Sequence, residues 1–424
     1  MAAGEVEPRL RLADRRQLSW RLYDAEALVG PRHTVRAIWA FLDKLDLADF
    51  YANIKARQGV AGRDATDPKI LLTLWLYALA TGVASARELA RLCVQHDAYK
   101  WICGGVSVNY HMLSDFRVGQ GRELDRLMTQ MLAVLMHKGV LKLYRIAQDG
   151  TRVRTSAGAA SFRRQPTLEH CLAQAQAQLV ALNQEAANPD PRRSRRRRAA
   201  QRRAARQRQA RLEQARIEYA NLAAVKAQAK NHPRRKTETR VSTTDPQARV
   251  MKMADGGFRP AYNLQFAADT DTRLVVGVLA TNAGTDNNQL QPMLEEIERR
   301  TATIPRQALL DGGYMNFAGI EQAAARGVEV FAPLRMNKDY KIDPQQVQPN
   351  DSPAIAVYRQ RMASEDGKRL YKERAATAET INSDLKTYRG LQRLLVRGLP
   401  KVLTAALWSA TTYNVLRIIS KGWI

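Results

Sequence analysis

Three acidic residues stand where their chemistry would be usable: Asp149 in YRIAQDGTRV, Asp311 in QALLDGGYMN and Glu379 in KERAATAETINSDLK. Each Asp follows a short apolar run and precedes glycine. That pattern predicts a carboxylate at the mouth of a β-sheet, where the backbone turns and a metal ion or phosphate can approach. Three carboxylates brought together can hold two divalent metal ions, and two metals can drive phosphodiester chemistry. The plain alternatives stand beside this reading. Asp-Gly after a strand is often only a turn. Glu373 and Asp384, close to Glu379, read as surface charges. Asp245, in TTDPQ, reads as an accessory acid or as the start of a turn.

Such a site needs a sheet to present it and a charge field to hold its substrate. The chain has 424 residues, 45% of them hydrophobic, enough for real cores in roughly two to three domains. Formal net charge is +26, which points to a polyanion, nucleic acid before anionic membrane. Between Glu185 and Arg240 there are 18 Lys/Arg and 5 Asp/Glu, a net of +13. Three cysteines, Cys93, Cys103 and Cys171, offer no disulfide framework. Cys93, His96, Cys103 and His111 lack the paired spacing of a zinc site and read as helix-packing residues. The N-terminal MAAGEVEPRLRLADRRQ has no apolar core of a signal peptide. The apolar run Ile70 to Ala80 is too short to span a bilayer. No GxxxxGK[ST] sequence occurs, so no nucleoside triphosphate is expected. A soluble cytoplasmic protein follows from these features.

Residues 1–140 read as helical. Asp67-Pro68 predicts an N-cap followed by Pro at the first helical position, with the helix ending near Gly82. Ser85 to Glu88 is a capping-box sequence that opens the next helix. A third helix is expected near Ser114, and a fourth over RELDRLMTQMLAVLMHKG. Helices joined by a short turn suit either a DNA-binding module or a small bundle docked on the rest. Trp75, Trp101, Trp408 and Tyr413 read as packing residues.

From Leu141 to Val153 the pattern turns strand-like, ending at Asp149-Gly150. The interruption that follows, residues 166–258, is Gln/Ala-rich and then Arg-rich. Pro189 and Pro191 break it, and a long basic helix follows, arranged as a hairpin. Arg195, Arg196, Arg197, Arg198, Arg202 and Arg203 fall on several faces, so they are not a buried face. They read as contacts to the phosphate backbone, against the plainer reading of a solvated arm. Strands resume in YNLQFAAD and LVVGVLAT. Asp286 is expected to cap a helix, and the strand QALLDGGY, a helix and the strand VEVFAPL complete an α/β layer.

In this order the segments resemble a bacterial insertion-sequence transposase of the DDE class, over most of the chain. DPKILLTLWLYALATGVASARELARLC and YHMLSDFR are similar to the helical N-terminal domain of that group. DGTRVRTSAG resembles its first-Asp motif, and TDNNQLQPML with LLDGGYMN the second. YKERAATAETINSDLK resembles the helix of the third acid. The resemblance implies a ribonuclease-H-like catalytic core with an all-α N-terminal domain and a long basic helical insertion between the first and second core strands. The expected division is 1–140, 141–165, 166–258 and 259–424. It implies Asp149, Asp311 and Glu379 as catalytic metal ligands for two Mg2+ or Mn2+ ions, consistent with all-oxygen ligation. It implies DNA as partner, at the terminal inverted repeats and the target, and a homodimer in the synaptic complex. It also implies a Tyr-Arg-Glu-Lys signature, fitted by Tyr371, Arg374, Glu379 and Lys386. Here four residues separate Arg374 from Glu379, where the usual signature has three. On an ideal helix Glu379, Lys386 and Lys372 share a face while Arg374 points elsewhere. Lys372 and Lys386 are therefore the expected phosphate holders. A metal-dependent nuclease on the same fold, and a non-catalytic DNA-binding protein, are the alternatives.

Overall fold

The computed structural model describes residues 24–52, 54, 56, 64–187, 194–228, 238–314, 317–333 and 345–424. Pro189, Pro191 and the first seventeen residues, on which expectations were placed, lie outside the described residues.

The N-terminal region is helical: α1 (Thr34–Leu42), α2 (Ala48–Ala52), α3 (Pro68–Ala80), α4 (Ala86–Gln95), α5 (Asp97–Cys103), α6 (Tyr110–Gly119) and α7 (Gly121–His137). Asp67 caps α3 by accepting from Lys69 N at 2.8 Å, with Pro68 at the helix start. Ser85 caps α4 through Glu88 N at 3.4 Å. Two details differ from expectation. α6 begins at Tyr110 rather than Ser114, because Asn109 accepts from Met112 N at 3.0 Å and starts the helix early. The short α5 is an addition, capped by the His96 ring and ended by left-handed Gly104.

A mixed sheet follows. Its strands are β1 (Arg145–Arg154), β4 (Arg249–Lys252), β5 (Phe258–Asp269), β6 (Val275–Thr281), β7 (Gln307–Leu309) and β8 (Glu329–Phe331); β2 (Phe162–Arg163) and β3 (Val241–Ser242) form a separate ladder. The order is β4-β5-β1-β7-β8, with β6 also paired to β5. β1 is antiparallel to β5 and parallel to β7. β1 does not end at Asp149-Gly150. The twelve-residue β5 offers it partners from Ile146 through Arg154, so the backbone stays extended past the acid.

Between β2 and β3 lie α8 (Gln165–Ala187) and α9 (Arg195–Gln228), packed as a hairpin on a small core of Leu168, Leu172, Leu212 and Ala215. Glu218, buried on α9, pairs with Arg249 of β4 and ties the hairpin to the sheet. α10 (Leu290–Thr301) leads from β6 to β7, and α11 (Phe317–Ala325) from β7 to β8. Then come α12 (Pro353–Ala363), α13 (Glu365–Arg374), a π-helical turn over Ala375–Glu379, α14 (Thr380–Thr387) and α15 (Leu399–Lys421).

α15 is the joint of the molecule. It packs on β6 and on α3 and α7, so one buried cluster runs from Val29 to Ile418. The indole of Trp408 lies 6.4 Å from that of Trp75, and its Nε1 donates to Arg117 O at 3.0 Å. Asn414 serves the edge of β6 as a missing strand would: Val275 N donates to its Oδ1 at 2.9 Å, and its Nδ2 donates to Val275 O at 2.8 Å. The N-terminal helices are thus docked on the α/β layer through the C-terminal helix. Trp75 and Trp408 are fully buried, while Trp101 and Tyr413 are half-buried against the same core. Cys93 and Cys103 are buried in the helical layer. No described helix is long and apolar enough to cross a membrane.

Candidate active site

The register of the parallel pair sets the site. Ala147 of β1 stands beside Leu309 of β7. Two residues further along each strand are Asp149 and Asp311, so the two acids fall at the same level on adjoining strands. Their surroundings differ. Asp149 is half-buried inside a continuing strand, whereas Asp311 is exposed where β7 has ended and Gly312 N donates to its Oδ1 at 2.6 Å. Burial pushes the Asp149 carboxyl up from its ordinary value. Arg374, the Gly150 N–H and the Asn382 amide oppose that push, and the nearby Asp286 adds to it. Asn382 Nδ2 donates to Asp149 Oδ2 at 3.1 Å and fixes the carboxylate from α14.

Glu379 arrives by a route that regular helix geometry does not allow. The π-helical turn Ala375–Glu379 absorbs the extra residue in the Arg374-to-Glu379 interval. Arg374 and Glu379, five apart, therefore come together: Nη2 donates to Glu379 Oε1 at 2.9 Å. The same guanidinium lies 3.8 Å from Asp149 Oδ2. Arg374 does not point elsewhere, as an ideal helix would have it; it bridges two of the three acids. Burial works against its charge, but Asp149, Tyr371 and Asp311 outweigh that and hold its pKa above the ordinary value. Burial also raises the Tyr371 hydroxyl; Arg374 opposes this, while Asp311 and Glu379 reinforce it. Asp149, Asp311, Glu379, Tyr371 and Arg374 thus act on one another across a single site.

Lys386 lies about two turns past Glu379, on α14, half-buried and beside Gly150 and Arg152. Lys372 is exposed on α13 and joins none of the polar contacts at Asp149. Of the two lysines, only Lys386 is brought to β1. Arg195, Arg196, Arg197 and Arg203 are exposed on the first turns of α9, with Arg198 and Arg202 half-buried.

One feature of the site was not foreseen. Asp286 does not use its side chain to cap α10, whose first residue is Leu290. Its carboxylate is buried beneath β1 and β5 instead. Oδ1 accepts from Asn263 Nδ2 at 2.6 Å and from Gln265 Nε2 at 2.8 Å, and Oδ2 accepts from Arg152 Nη2 at 3.2 Å. Tyr314, in the 3-10 turn after Asp311, donates to Gln265 Oε1. Burial holds that hydroxyl well above its ordinary pKa, with Asp286, Asp149 and Asp311 adding to the effect. Gly150 is required here, because a Cβ would stand 2.2 Å from Asp286 Oδ1 and 2.3 Å from Gln265 Nε2. The signal lay in YNLQFAAD: Asn263 and Gln265 share one side of a strand among apolar neighbours, and buried amides need a polar partner. Asp245, the other acid singled out, is buried away from the triad. It accepts from Tyr262 OH at 2.7 Å and Gly398 N at 3.1 Å, and joins three segments of the chain.

Three carboxylates offering only oxygen suit a hard divalent cation. Among the described residues no three His, Cys, Asp or Glu side chains already stand in position to hold one. Arg374 supplies positive charge between Asp149 and Glu379 in that arrangement.

The molecule thus combines a helical N-terminal region, a mixed sheet and paired acids on adjoining strands. The family described as Transposase DDE domain matches residues 233–415, and Transposase domain (DUF772) matches residues 23–118. The chain belongs to the DDE transposases of insertion sequences. The DDE match includes Asp311 and Glu379 and begins after Asp149, α8 and the whole of α9. No curated protein and no solved structure matches the chain.

Proposed function

We propose that the protein cleaves the ends of its insertion sequence and transfers the resulting 3′-OH to target DNA, with Asp149, Asp311 and Glu379 as the catalytic carboxylates. The observation that carries this reading is the common level of Asp149 and Asp311 on β1 and β7, with Arg374 linking Asp149 to Glu379. In this proposal the three acids hold two Mg2+ or Mn2+ ions, which supply activation of the attacking oxygen and stabilisation of the leaving one. Asn382 and the Gly150 N–H orient Asp149. Arg374 and Tyr371 move their interactions from the acids to a DNA phosphate, and Lys386 holds a phosphate beside β1. Arg374 is well suited to this, because a guanidinium grips phosphate and carboxylate with the same fork geometry. The carboxylates are ligands rather than nucleophiles, so no covalent protein–DNA intermediate forms. The division into 1–140, 141–165, 166–258 and 259–424 gives end recognition to the N-terminal helices and backbone contact to the hairpin, with two protomers pairing two ends.

The test is cleavage of labelled element-end DNA in Mg2+ or Mn2+ by the wild type and by Asp149→Ala, Asp311→Ala and Glu379→Ala. Cleavage should fall by about 1000-fold or more in each variant while DNA binding persists. Target DNA added to the wild type should then become joined to the cut end. Cutting without joining would make the protein a nuclease. Equal binding by all four proteins with no cutting would leave only a DNA-binding role.

A further inference from the structure

Beside Asp149 the surface of β1 opens into a cleft of about 370 Å3. It is lined by Gly150, Thr151 and Arg152 of β1, Lys252 at the end of β4, Gly284 in the loop after β6, and Lys386 of α14. Three cations share the cleft and no carboxylate lines it. Arg152 is pinned at the back, its Nη2 donating to Gly284 O and to Asp286 Oδ2, both at 3.2 Å. Lys252 and Lys386 form no ion pair among the described residues. Arg152 is already matched by Asp286, but two ammonium groups without a carboxylate partner line the same opening, and an anion entering the cleft would compensate them. Gly284 leaves its wall open, since a Cβ there would meet nothing within 4 Å.

We infer that this cleft is a phosphodiester-binding subsite that holds the strand being cut on the β4 side of the triad, with Lys252 as its principal new contact. The inference rests on the cleavage reading above and adds the path of the strand. Arg152 is three residues from Asp149 along an extended strand, about 10 Å. At about 3.4 Å of rise per nucleotide, the phosphate in the cleft lies within about three nucleotides of the bond to be broken. Arg152 serves as a positioning residue: it sets the back wall and connects the cleft to the buried Asp286 network. Lys252 is exposed and takes part in no core packing, so its removal leaves the fold intact.

The experiment uses full-length wild type and Lys252→Ala with labelled element-end duplexes carrying one neutral methylphosphonate, moved through three positions on each side of the cleavage site. Binding is measured without divalent metal over a range of salt, and cleavage is followed in Mn2+. Wild type should lose on the order of 10-fold in affinity at one position on one side of the cut. Lys252→Ala should bind unmodified DNA more weakly by a similar factor and be indifferent to the methylphosphonate at that position. Its salt slope should be smaller by about one. Lys252→Arg should restore both the affinity and the sensitivity. Should wild type cut while Lys252→Ala keeps the same salt slope and the same methylphosphonate profile, the cleft assignment is wrong and the triad stands. Should wild type neither bind nor cut element ends, the cleavage reading fails and the cleft assignment goes with it.

Discussion

Arg300 of α10 is fully buried, and its guanidinium joins α10 to α7: Nη1 donates to Asp125 O at 3.0 Å and Thr129 Oγ1 at 3.1 Å, and Nη2 meets the carboxylates of Asp125 and Glu296. On the α9 hairpin, Arg195, Arg196, Arg197 and Arg203 are exposed and pair with no carboxylate among the described residues. The same side chain does different work in the two places. A buried guanidinium must be matched by acids, and once matched it fixes how two helices meet. An exposed, unmatched one adds nothing to the fold and remains available to phosphate. Arg374 falls between these cases: it is largely buried and matched by acids, yet those acids have other work. The comparison therefore separates arginines that hold the protein from arginines left open to phosphate, and in the proposed mechanism Arg374 is one of the first kind put to the second use.

The largest effect should come from breaking the buried member. Arg300→Met leaves Asp125 and Glu296 without their central partner. Loss of one partner of a buried pair costs about 3–5 kcal/mol, and the lower end is expected because Arg299 also reaches both acids. Urea unfolding of the variant should show a loss of unfolding free energy of that size. A shift under about 1 kcal/mol would mean the α7–α10 contact is held by apolar packing alone.

A smaller effect, with a defined direction, is expected at Asp149. Burial raises its carboxyl in the folded protein, so the ionised form is destabilising. Stability should therefore fall as pH rises from the ordinary carboxylate value through the raised folded one. Asp149→Asn lacks that loss while keeping an acceptor for Asn382. In metal-free buffer its melting temperature should exceed that of wild type at neutral pH, and the difference should vanish in acid, below the ordinary carboxylate value. An unchanged or inverted difference at neutral pH would show that Arg374 and the neighbouring donors fully offset the burial.

Much of this site is legible in the sequence, and the parts that are not have physical causes. An apolar run followed by Asp-Gly correctly placed Asp149 and Asp311 at two different strands of one sheet. It misplaced the end of β1, because whether a strand continues past glycine depends on a partner more than a hundred residues away, here β5. Spacing on an ideal helix sent Arg374 away from Glu379. The error lay in assuming regular geometry: one added residue was absorbed as a π-turn, a local choice that side-chain periodicity does not reveal. Asp286 was read as a cap because it precedes a helix. Its real partners, Asn263 and Gln265, lie on a strand more than twenty residues earlier, and only tertiary packing brings them under Gly150. Four of the seven N-terminal helices, α3, α4, α6 and α7, were recognised individually. That α15 would bind them to the sheet was not visible, because Trp75 and Trp408 announce burial without naming each other.

The smallest effect on stability should come from the hairpin, and it is the sharpest test of the comparison. Replacing Arg195, Arg196, Arg197 and Arg203 together by Ala removes four charges from exposed positions and adds good helix formers. The apolar core shared by α8 and α9 begins further along, at Leu212. Unfolding should change by no more than about 0.5 kcal/mol. DNA binding should respond quite differently. Each lost phosphate contact lowers the salt slope by about one, and it should do so equally for element ends and for unrelated duplexes, because backbone contacts carry no sequence information. A loss confined to element ends would turn these arginines into base readers. A loss of folding stability comparable to that of Arg300→Met would remove the distinction itself, since the hairpin arginines would then be holding the protein too.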